Sequence, residues 1–398
     1  MALREQQITA SGGRAASGQS ANFRDKYVKK TWHVEASRTY EFDIRYSTGI
    51  FSPKNPDLLD LGESRRRLII FDRTVYDLYG AEARQFFEAM GIEASFCLIE
   101  STEERKDLEN LIYILKHMED FGLLRRSEPV IAVGGGVLLD IVGFAASVYR
   151  RGVPYIRVPT TLLALVDATV GAKTAINHFS RRNRLGSYYP PIVSYLDKTF
   201  VRTQAQREIS NGLAEIFKLA LIKDAELFRL LEENADTLVE EKFQYGAVPV
   251  RVINRAITGM VEELAPDMWE HNLERCVDFG HSFSPLIEMK ALPELSHGEA
   301  VCIDCVYSSY IAHKRGMLER NELDRIIATV KRLRLPVCHP LFSDPAVVSA
   351  ALTDTMKHRN GKQNLPLPFG IGSYVFCNDL TQEEIDRACA AIKNETAS

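Results

Sequence analysis

Short apolar runs alternate with amphipathic segments between about residues 65 and 200, and this alternation constrains the fold more than any other feature. The runs "RRRLIIFD", "EASFCLIE", "PVIAVGG" and "YIRVPTT" have the length and apolar content of buried strands, and the segments between them have helical periodicity. Strands that alternate with helices predict a parallel sheet with helices on both faces. Such a sheet binds its ligands beyond the carboxyl ends of its strands.

The sequence after about residue 204 has a different character. "AQREISNGLAEIFKLALIKDAELFRLLEENADTLVEE" has helical periodicity throughout, and further helical stretches follow it. We therefore expect a leader at 1–35, an α/β domain at 36–203 and a helical domain at 204–398. The Gly, Ser, Ala and Gln content of the leader predicts disorder. The cleft between the two domains is the expected active site.

Composition argues against several classes of protein. The formal charge of −4 and the pI near 6.2 are unlike those of a general nucleic-acid binder. No apolar run reaches the roughly 18 residues of a membrane span, and the N-terminus lacks the apolar core of a secretory signal. Seven scattered cysteines indicate a reducing compartment, so we expect a cytoplasmic protein. The CxxC of Cys302 and Cys305 lies in an apolar helical segment, which predicts buried thiols.

The turn "VGGGVLLD" follows a predicted strand and opens a predicted helix. Glycines let a backbone approach a pyrophosphate, which the free amides of a helix N-terminus bind. The segment is not GxGxxG, so a tight turn without a ligand is the alternative. Asp72 ends the first strand, where an acid can bind the ribose hydroxyls of a nucleotide or, alternatively, cap the next helix.

Glu215 and Lys218 lie three residues apart in "NGLAEIFKLAL" and share one face of a predicted helix. A surface ion pair is the simplest interpretation. Their apolar neighbours leave little exposed surface, however, so the carboxylate needs a buried partner, and a metal ion would serve.

Two histidines add to this carboxylate. His281 lies in "CVDFGHSFSP", and His297 lies in "SHGEAV", where Ser296 and Glu299 form a capping box that places His297 in the first turn of a helix. One Glu and two His give three ligands and leave one position open, as in catalytic divalent-metal sites. The spacing does not show that the three converge, and a structural role for His281 in the core is the alternative.

Basic residues cluster near the third and fourth strands and just beyond them: Arg150, Arg151, Lys173, Arg182 and Arg184. Several lie close to glycines, where side chains can converge on a ligand. The cluster suits a phosphorylated substrate, and a solvated loop is the alternative.

Six ordered motifs resemble the sugar phosphate cyclases, the family that includes 3-dehydroquinate synthase. The motifs are "GGGVLLDIVGFAASVYRRG", "VPTTLLALVDATVGAKTAIN", "RNRLGSYYPP", "NGLAEIFKLAL", "DFGHSFSP" and "SHGEAV", and the likeness covers about residues 65–375. The resemblance implies a Rossmann-like NAD-binding domain followed by a helical metal-binding domain. It also implies bound NAD, a divalent Zn or Co ion, and a homodimer.

The resemblance also implies roles for individual residues. The metal ligands would be Glu215, His281 and His297. The NAD contacts would be Asp72, Glu103, Lys106, Gly135, Gly136, Val137, Asp140, Thr160, Thr161, Phe200 and Thr203. The substrate-binding and catalytic positions would be Asp167, Lys173, Asn183, Lys218, Arg275, Lys357 and Arg182, the last standing where 3-dehydroquinate synthases have a lysine. Arg151 would reach the phosphate in the neighbouring subunit.

Three departures from the 3-dehydroquinate synthases indicate a subfamily. Pro285 replaces the second histidine of their His-x-x-x-His motif, Asp278 replaces an asparagine, and Glu274 replaces an arginine, with Arg275 next to it. That arginine serves a substrate carboxylate in the family, so its loss implies a substrate without one. "PDMWE" and "DFGHSFSP" resemble the cyclases of sedoheptulose 7-phosphate.

Within that group, Leu264, Asp278 and His358 match the 2-epi-5-epi-valiolone synthases, in which Asp278 and His358 would shape the pocket. The 2-epi-valiolone and demethyl-4-deoxygadusol synthases use the same substrate and stay as alternatives. The implied reaction is transient oxidation by NAD⁺, phosphate elimination, reduction and an intramolecular aldol step, which makes the enzyme a lyase. The rival functions are a metal-dependent polyol dehydrogenase, which has Asp where Glu215 stands, and a non-catalytic NAD-binding protein.

Overall fold

The strands of the chain form one large sheet and two hairpins. The computed structural model describes residues 32–37, 39–59, 64–179 and 181–395. In chain order the strands are β1 (Asp43–Tyr46), β2 (Arg66–Asp72), β3 (Glu93–Ile99), β4 (Val130–Gly134), β5 (Tyr155–Pro159), β6 (Lys173–His178), β7 (Arg181–Tyr188), β8 (Val193–Leu196), β9 (Leu365–Pro368) and β10 (Tyr374–Cys377).

The large sheet is parallel and has the order β1-β8-β5-β4-β2-β3, which confirms the predicted sheet. The four predicted apolar runs are β2 to β5. The sequence pattern does not predict β1 and β8, because each has only four residues. The strand order reverses between β2 and β4, so the ligand crevice lies where Asp72 ends β2 and Gly134 ends β4.

Three helices cover this sheet: α1 (Arg73–Ala89), α2 (Leu108–Asp120) and α3 (Gly136–Val148). Phe86 and Phe87 of α1 pack with Ile69 on one face of the sheet. Leu111 of α2 and Leu138 of α3 pack in a separate cluster on the other face. Helices therefore lie on both faces, as the alternation predicts.

The segment between β5 and β8 contains the antiparallel hairpin of β6 and β7, in which Lys173 lies opposite Tyr188. Its basic residues Lys173, Arg182 and Arg184 therefore lie on strands and not in the loop that was the alternative. Most of β7 is exposed or half-buried. A polar strand of this kind lacks the apolar alternation that distinguishes a strand from a loop in sequence.

The chain after residue 204 is mainly helical, as predicted. Its described α-helices are α4 (Gln206–Lys223), α5 (Ala225–Glu240), α6 (Val248–Leu264), α7 (Ser284–Ala291), α8 (His297–Lys314), α9 (Arg320–Arg332), α10 (Pro345–His358) and α11 (Gln382–Glu395). The small hairpin of β9 and β10 is an addition that the sequence analysis does not predict. The buried helices α4 and α8 lie at the centre of the largest apolar cluster.

The predicted boundary between residues 203 and 204 falls just before α4. Residues 41–398 nevertheless form one compact unit, so the division into two domains stays a prediction. Most of the predicted leader lies outside the described residues. Cys302 and Cys305 are buried free thiols on α8, as expected. Among the helices that the structure describes, none has both the length and the apolarity that a membrane span requires.

Candidate active site

Glu215, His281 and His297 converge, and we call these three residues the metal cluster. One ligand atom from each lies within 4.8 Å of the other two. Oε1 of Glu215 lies 3.3 Å from Nε2 of His297 and 3.7 Å from Nε2 of His281. These distances are close to the ligand–ligand spacing of a tetrahedral site whose metal bonds are about 2.1 Å long. The structure thus brings the three predicted ligands together.

The carboxylate of Glu215 provides a test of whether a metal fits. Its Oε2 lies 2.5 Å from Nζ of Lys218, whereas Oε1 is buried and has no hydrogen-bond partner among the described residues. A buried carboxylate oxygen without a partner is costly unless an ion binds it. One carboxylate and two imidazoles also form a donor set that suits Zn²⁺ or Co²⁺. The residues therefore fit a divalent cation.

Local structure fixes the position of each ligand. Glu215 lies in the buried middle of α4, and His297 lies in the first turn of α8, behind the predicted capping box. His281 follows Gly280, whose φ is 73°. A Cβ at Gly280 would come within 2.8 Å of Sγ of Cys305 on α8. Because only glycine fits this turn, Gly280 lets His281 approach the other ligands.

Glu288 on α7 orients His297, and the sequence analysis does not single it out. Its Oε2 lies 3.0 Å from Nδ1 of His297 and 2.5 Å from NH1 of Arg182. A carboxylate that accepts a hydrogen bond from Nδ1 of a histidine fixes the tautomer that presents Nε2 to a metal. The signal that could have found Glu288 is an acid within the mostly apolar segment "SPLIEM".

Asp304 on α8 holds the segment that carries His281, and it is also absent from the predicted site. Its buried Oδ2 accepts hydrogen bonds from the backbone amides of Phe283, at 2.7 Å, and Ser284, at 2.8 Å. The ring of His281 is oriented by the carbonyl of Phe279, which lies 3.1 Å from Nδ1. The sequence signal for Asp304 is a single charge in the apolar run "AVCIDCVY".

Burial and opposite charges compete at this site. Burial acts to raise the pKa of Glu215, but the Lys218 ammonium and His297 hold that pKa well below its usual range. Burial acts to lower the pKa of Lys218, but Glu215 and Asp167 raise it. Burial and the Glu215 carboxylate both raise the pKa of Asp167. Glu215 is therefore ionised, and Asp167 holds a proton more readily than a free aspartate.

The two histidines of the metal cluster have different proton affinities. Burial and the Lys218 ammonium lower the pKa of His281 to about 3. For His297, burial and Arg182 act to lower the pKa, but Glu288 and Glu215 outweigh them and raise it to about 9. A neutral His281 is ready to bind a metal, whereas His297 must first release a proton.

The glycine turn lies at the predicted edge of the large sheet. A Cβ on Gly135, which precedes α3, would lie 3.1 Å from Cγ2 of Thr161. The amide of Thr160 donates to the carbonyl of Gly134 at 3.0 Å, and the buried Oγ1 of Thr160 has no hydrogen-bond partner among the described residues. This hydroxyl and the free amides at the start of α3 form a cradle that fits a pyrophosphate.

Asp72 lies across the crevice from this turn. Its carboxylate caps α1 by accepting from the Val75 amide at 3.1 Å, and Oδ2 accepts from the Ser101 hydroxyl at 2.5 Å. The capping role is thus present, and the ribose contact stays a prediction. The other predicted NAD residues near this edge are Gly136 and Val137 in the first turn of α3, and Phe200 and Thr203 beside Tyr79.

Lys106 links the predicted NAD residues to the predicted substrate residues. Its buried Nζ lies 2.6 Å from Oδ2 of Asp140 and 2.6 Å from Oδ1 of Asn183. Nearby, Nε of Arg182 lies 3.4 Å from Oε1 of Glu103. Since Arg182 also contacts Glu288, it connects the nucleotide side of the crevice to the metal cluster.

Asp167 lies in a single π-helical turn after β5. Arg157, a buried residue of β5, donates from NH1 to the carbonyls of Ala168, at 2.9 Å, and Gly171, at 2.8 Å. These bonds fix the segment that follows Asp167. A Cβ on Gly171 would lie 3.9 Å from Cδ1 of Leu264, so the predicted subfamily residue Leu264 lies against the same segment.

Five charged residues form a row of alternating sign that we call the charge chain: Lys173, Glu270, Arg275, Asp278 and Arg359. Glu270, the last residue of "PDMWE", contacts both Lys173 and Arg275, and the sequence analysis assigns it no individual role. Oδ1 of Asp278 lies 2.5 Å from NH2 of Arg275. The carbonyl of Asp278 accepts from the amide of His281 at 3.0 Å, so the charge chain borders the metal cluster.

Three predicted residues make no contact with these groups in the described part of the chain. Arg151 is exposed just after α3. Lys357 pairs with Asp354 at 3.2 Å, and His358 is exposed at the end of α10. Their roles toward substrate stay predictions.

Two domains of the 3-dehydroquinate synthase family match the chain, the N-terminal one at residues 96–211 and the C-terminal one at residues 212–358. A 2-epi-5-epi-valiolone synthase of Streptomyces hygroscopicus subsp. jinggangensis (strain 5008) is 48% identical over 366 residues, which are 90% of this chain and 88% of the relative. A demethyl-4-deoxygadusol synthase of Trichormus variabilis is 36% identical over 368 residues, which are 90% of this chain and 89% of the relative.

A solved structure also matches the chain. It is the 2-epi-5-epi-valiolone synthase from Streptomyces hygroscopicus subsp. jinggangensis 5008 with NAD⁺ and Zn²⁺ bound, at 48% identity and a TM-score of 0.89. The match covers 92% of this chain and 100% of the other chain. The α/β part followed by a helical part is therefore an arrangement that the two proteins share.

Proposed function

The chain belongs to the 3-dehydroquinate synthase family, and from that membership we propose that it is a sugar phosphate cyclase that converts sedoheptulose 7-phosphate to 2-epi-5-epi-valiolone and phosphate. The observation that carries the proposal is the metal cluster. Oε1 of Glu215 makes no hydrogen bond with any described residue, and it faces Nε2 of both histidines. The 48% identity to 2-epi-5-epi-valiolone synthase supports the substrate and the product.

NAD and a divalent Zn or Co ion are the proposed cofactors. The cradle at Gly135, Thr160 and Thr161 would hold the pyrophosphate of NAD, and the metal cluster would hold the ion. When bound, NAD⁺ accepts and later returns a hydride, and the metal ion polarises the hydroxyl at the carbon that gives up the hydride. The hydride is returned, so the overall reaction is a carbon–oxygen lyase reaction without net redox change.

The side chains around the metal cluster would bind the substrate hydroxyls. Lys218 lies between Glu215 and Asp167 and is held in its charged form by both, so its ammonium can donate to a hydroxyl beside the metal. Asp167 can exchange a proton with the neighbouring hydroxyl, because its raised pKa brings the protonated form within reach.

The phosphate would bind at the opposite end of the pocket. Lys106 donates to Oδ1 of Asn183, which leaves Nδ2 of Asn183 to donate to a phosphate oxygen. The side chain of Lys173 is 57% exposed, so its ammonium can leave Glu270 and bind the phosphate. The phosphate itself is a suitable base for the proton that is lost when it is expelled. Asp278 and His358 would shape the pocket in which the ring closes.

A homodimer is part of the proposal, because Arg151 is exposed and makes no contact with the site of its own subunit in the described part of the chain. Arg150 and Arg151 both have positive φ angles, 47° and 63°, and Arg150 donates to the carbonyl of Leu123 after α2 at 3.2 Å. Backbone strain of this kind persists where the surroundings impose it. The helix α2, whose C-terminal end lies near this segment, exposes the apolar side chains of Ile112 and Tyr113.

A second copy would cover this apolar face and receive Arg151 in its phosphate site. Ile112→Glu should convert the dimer to a monomer in sedimentation analysis and lower activity, because Arg151 then reaches no phosphate. A monomeric wild type with full activity would contradict the dimer and leave the reaction untouched. The seven free cysteines support a reducing, cytoplasmic location.

The proposed reaction is tested by incubating the protein with sedoheptulose 7-phosphate, NAD⁺ and Zn²⁺ or Co²⁺, and identifying the product by NMR. We expect one phosphate per substrate, no accumulation of NADH, and the coupling pattern of 2-epi-5-epi-valiolone. The NMR spectrum of 2-epi-valiolone or demethyl-4-deoxygadusol would support the proposed substrate and replace the proposed product. Turnover of only the heptulosonate phosphate of 3-dehydroquinate synthases, or net NADH formation with a simple polyol, would overturn the proposal.

A further inference from the structure

Glu270 occupies an unusual position beside the substrate side of the pocket. Its Oε1 contacts both the Lys173 ammonium and the Arg275 guanidinium, and its Oε2 accepts from the Tyr188 hydroxyl at 3.2 Å. Its φ of 56° is in the left-handed region, which is uncommon for a residue with a side chain. The carboxylate is thus held by three donors at a strained backbone position.

The hairpin of β6 and β7 explains how these contacts arise together. Lys173 and Tyr188 are cross-strand partners, so both side chains reach Glu270 from one end of the hairpin. The ring of Trp269 packs edge-on against Tyr188, with centroids 5.9 Å apart. The turn that carries Glu270 is closed by Asp267, which accepts from two backbone amides. Glu270 is therefore positioned by the fold and is not a freely moving surface acid.

Arg275 lies between two carboxylates. Glu270 contacts one side of its guanidinium, and Asp278 lies 2.5 Å from the other side. The side chains of Arg275, Glu270 and Asp278 are 20%, 12% and 18% exposed, so all three reach the pocket surface while little water screens them. A third carboxylate at this guanidinium would therefore lie beside two carboxylates that already contact NH1 and NH2.

We propose that Glu270 determines substrate choice by neutralising Arg275, so that the pocket accepts a sugar phosphate with hydroxyl groups and rejects the same skeleton with a carboxylate. The inference rests on the proposed function, since it concerns the substrate of that site. A ligand carboxylate at Arg275 would lie within a few ångströms of Glu270 and Asp278, and repulsion between like charges in a partly buried pocket is strong.

The test compares the affinities of two ligands for the holoenzyme with Zn²⁺ and NADH, which cannot accept a hydride and so prevents turnover. The ligands are sedoheptulose 7-phosphate and the 3-deoxy heptulosonate 7-phosphate that carries a carboxylate. Calorimetry gives both dissociation constants for the wild type and for Glu270→Gln. We expect Glu270→Gln to shift the ratio of the two affinities toward the carboxylate ligand by at least about tenfold, because one negative charge beside Arg275 is removed.

Two further variants separate this role from general effects. Glu262→Gln removes an exposed acid near the end of α6, eight residues away, and it should leave the affinity ratio within about twofold of the wild type. The double variant Glu270→Gln with Arg275→Gln should lose the gained preference, because the arginine that Glu270 neutralises is gone.

The proposal fails if Glu270→Gln lowers both affinities equally, since Glu270 then only maintains the pocket. It also fails if Glu262→Gln shifts the ratio as much. If Glu270→Gln does not retain NAD and zinc, Glu270→Asp is the deciding variant. It keeps the negative charge and should keep the wild-type ratio of the two affinities. A changed ratio would refute the proposal. The affinity ratio is measured without turnover, so it tests Glu270 independently of the reaction. A protein that releases no phosphate from sedoheptulose 7-phosphate would contradict the proposed reaction, and the ratio would still test Glu270.

Discussion

The metal cluster and the charge chain are neighbours that differ in how their charges are arranged. In the metal cluster, groups outside the cluster hold the ligands: Glu288 holds His297, and Lys218 holds one oxygen of Glu215. In the charge chain, the members hold one another, as Glu270 does with Lys173 and Arg275. The first region is therefore organised for an ion by its surroundings, whereas in the proposed function the second exchanges partners when a phosphate binds.

This difference separates two functions of the site. Fixed ligands with buried surroundings favour tight binding of an ion and allow little movement. In the charge chain, the Lys173 side chain is 57% exposed, so its ion pair with Glu270 can open at low cost when a substrate competes for it. We therefore expect substitutions in the two regions to affect different measurements, metal affinity in the first and substrate affinity in the second.

The largest effect is expected for Glu215→Gln. The variant leaves two histidines beside the Lys218 ammonium and removes the negative charge that makes a divalent cation favourable there. We expect loss of bound metal and a fall in phosphate release of at least about a thousandfold. Glu208→Gln, at an exposed position of the same helix, is the matched control and should retain both. A Glu215→Gln protein with normal metal content would show that the cluster is not the metal site.

A smaller effect is expected for Glu288→Gln, which tests whether outside groups organise the cluster. The amide no longer balances the charge of Arg182 and holds the ring of His297 less firmly. Loss of such a partner lowers metal affinity by about 10- to 100-fold, as a metal titration would show. Activity at saturating zinc should recover in large part. If the metal affinity of Glu288→Gln equals that of the exposed control Glu294→Gln, Glu288 does not organise the metal cluster.

The metal cluster could be predicted from the sequence because each ligand lies in a local pattern with a physical meaning. Glu215 lies in an apolar helix, and the Ser296 capping box places His297 at a helix start. The convergence of the three ligands did not follow from their spacing. Glu288 and Asp304 were missed. The sequence environment of a buried acid is recognisable, but its partner can lie anywhere in the chain, so the sequence does not show which group the acid holds.

The charge chain is harder to predict for the same reason. Its members come from β6, from the loop after α6 and from the end of α10, and tertiary packing alone brings them together. Sequence patterning found the large sheet, but not the hairpin of β6 and β7, whose polar strands lack a clear apolar face. The position of Glu270 depends on that hairpin, so it could be found only in the structure.

In the charge chain, Lys173→Ala should change substrate use and leave metal binding intact. A charged hydrogen bond to phosphate is strong, but the lysine is more than half exposed, so we expect a loss of about tenfold in kcat/KM. Lys290→Ala on α7 serves as a control for the removal of one positive charge. If Lys173→Ala lowers zinc affinity as much as kcat/KM, the two regions are not separate.

Asp304 lies where the two regions meet, and its substitution should have the smallest effect. It caps the His281 segment, and Arg359 of the charge chain acts on its charge. Burial raises the pKa of Asp304 to about 6. The folded protein thus binds a proton that the unfolded chain releases near pH 4, so this contribution to stability is full below pH 4 and is lost as the pH rises through about 6.

Between pH 5 and 7 the loss amounts to about 1 kcal/mol, or roughly 2 °C or less in Tm for a chain of this length. Asp304→Asn has no such proton. We compare the Tm of wild type and variant, both free of metal, and expect the Tm of the wild type to fall relative to that of the variant as the pH rises. Because both proteins share every other titrating group, the difference isolates Asp304. A difference in Tm that stays constant from pH 5 to 7 would mean that Asp304 is already ionised. Arg359 and the amides of Phe283 and Ser284 would then outweigh the effect of burial on its pKa, and the two regions would be coupled electrostatically.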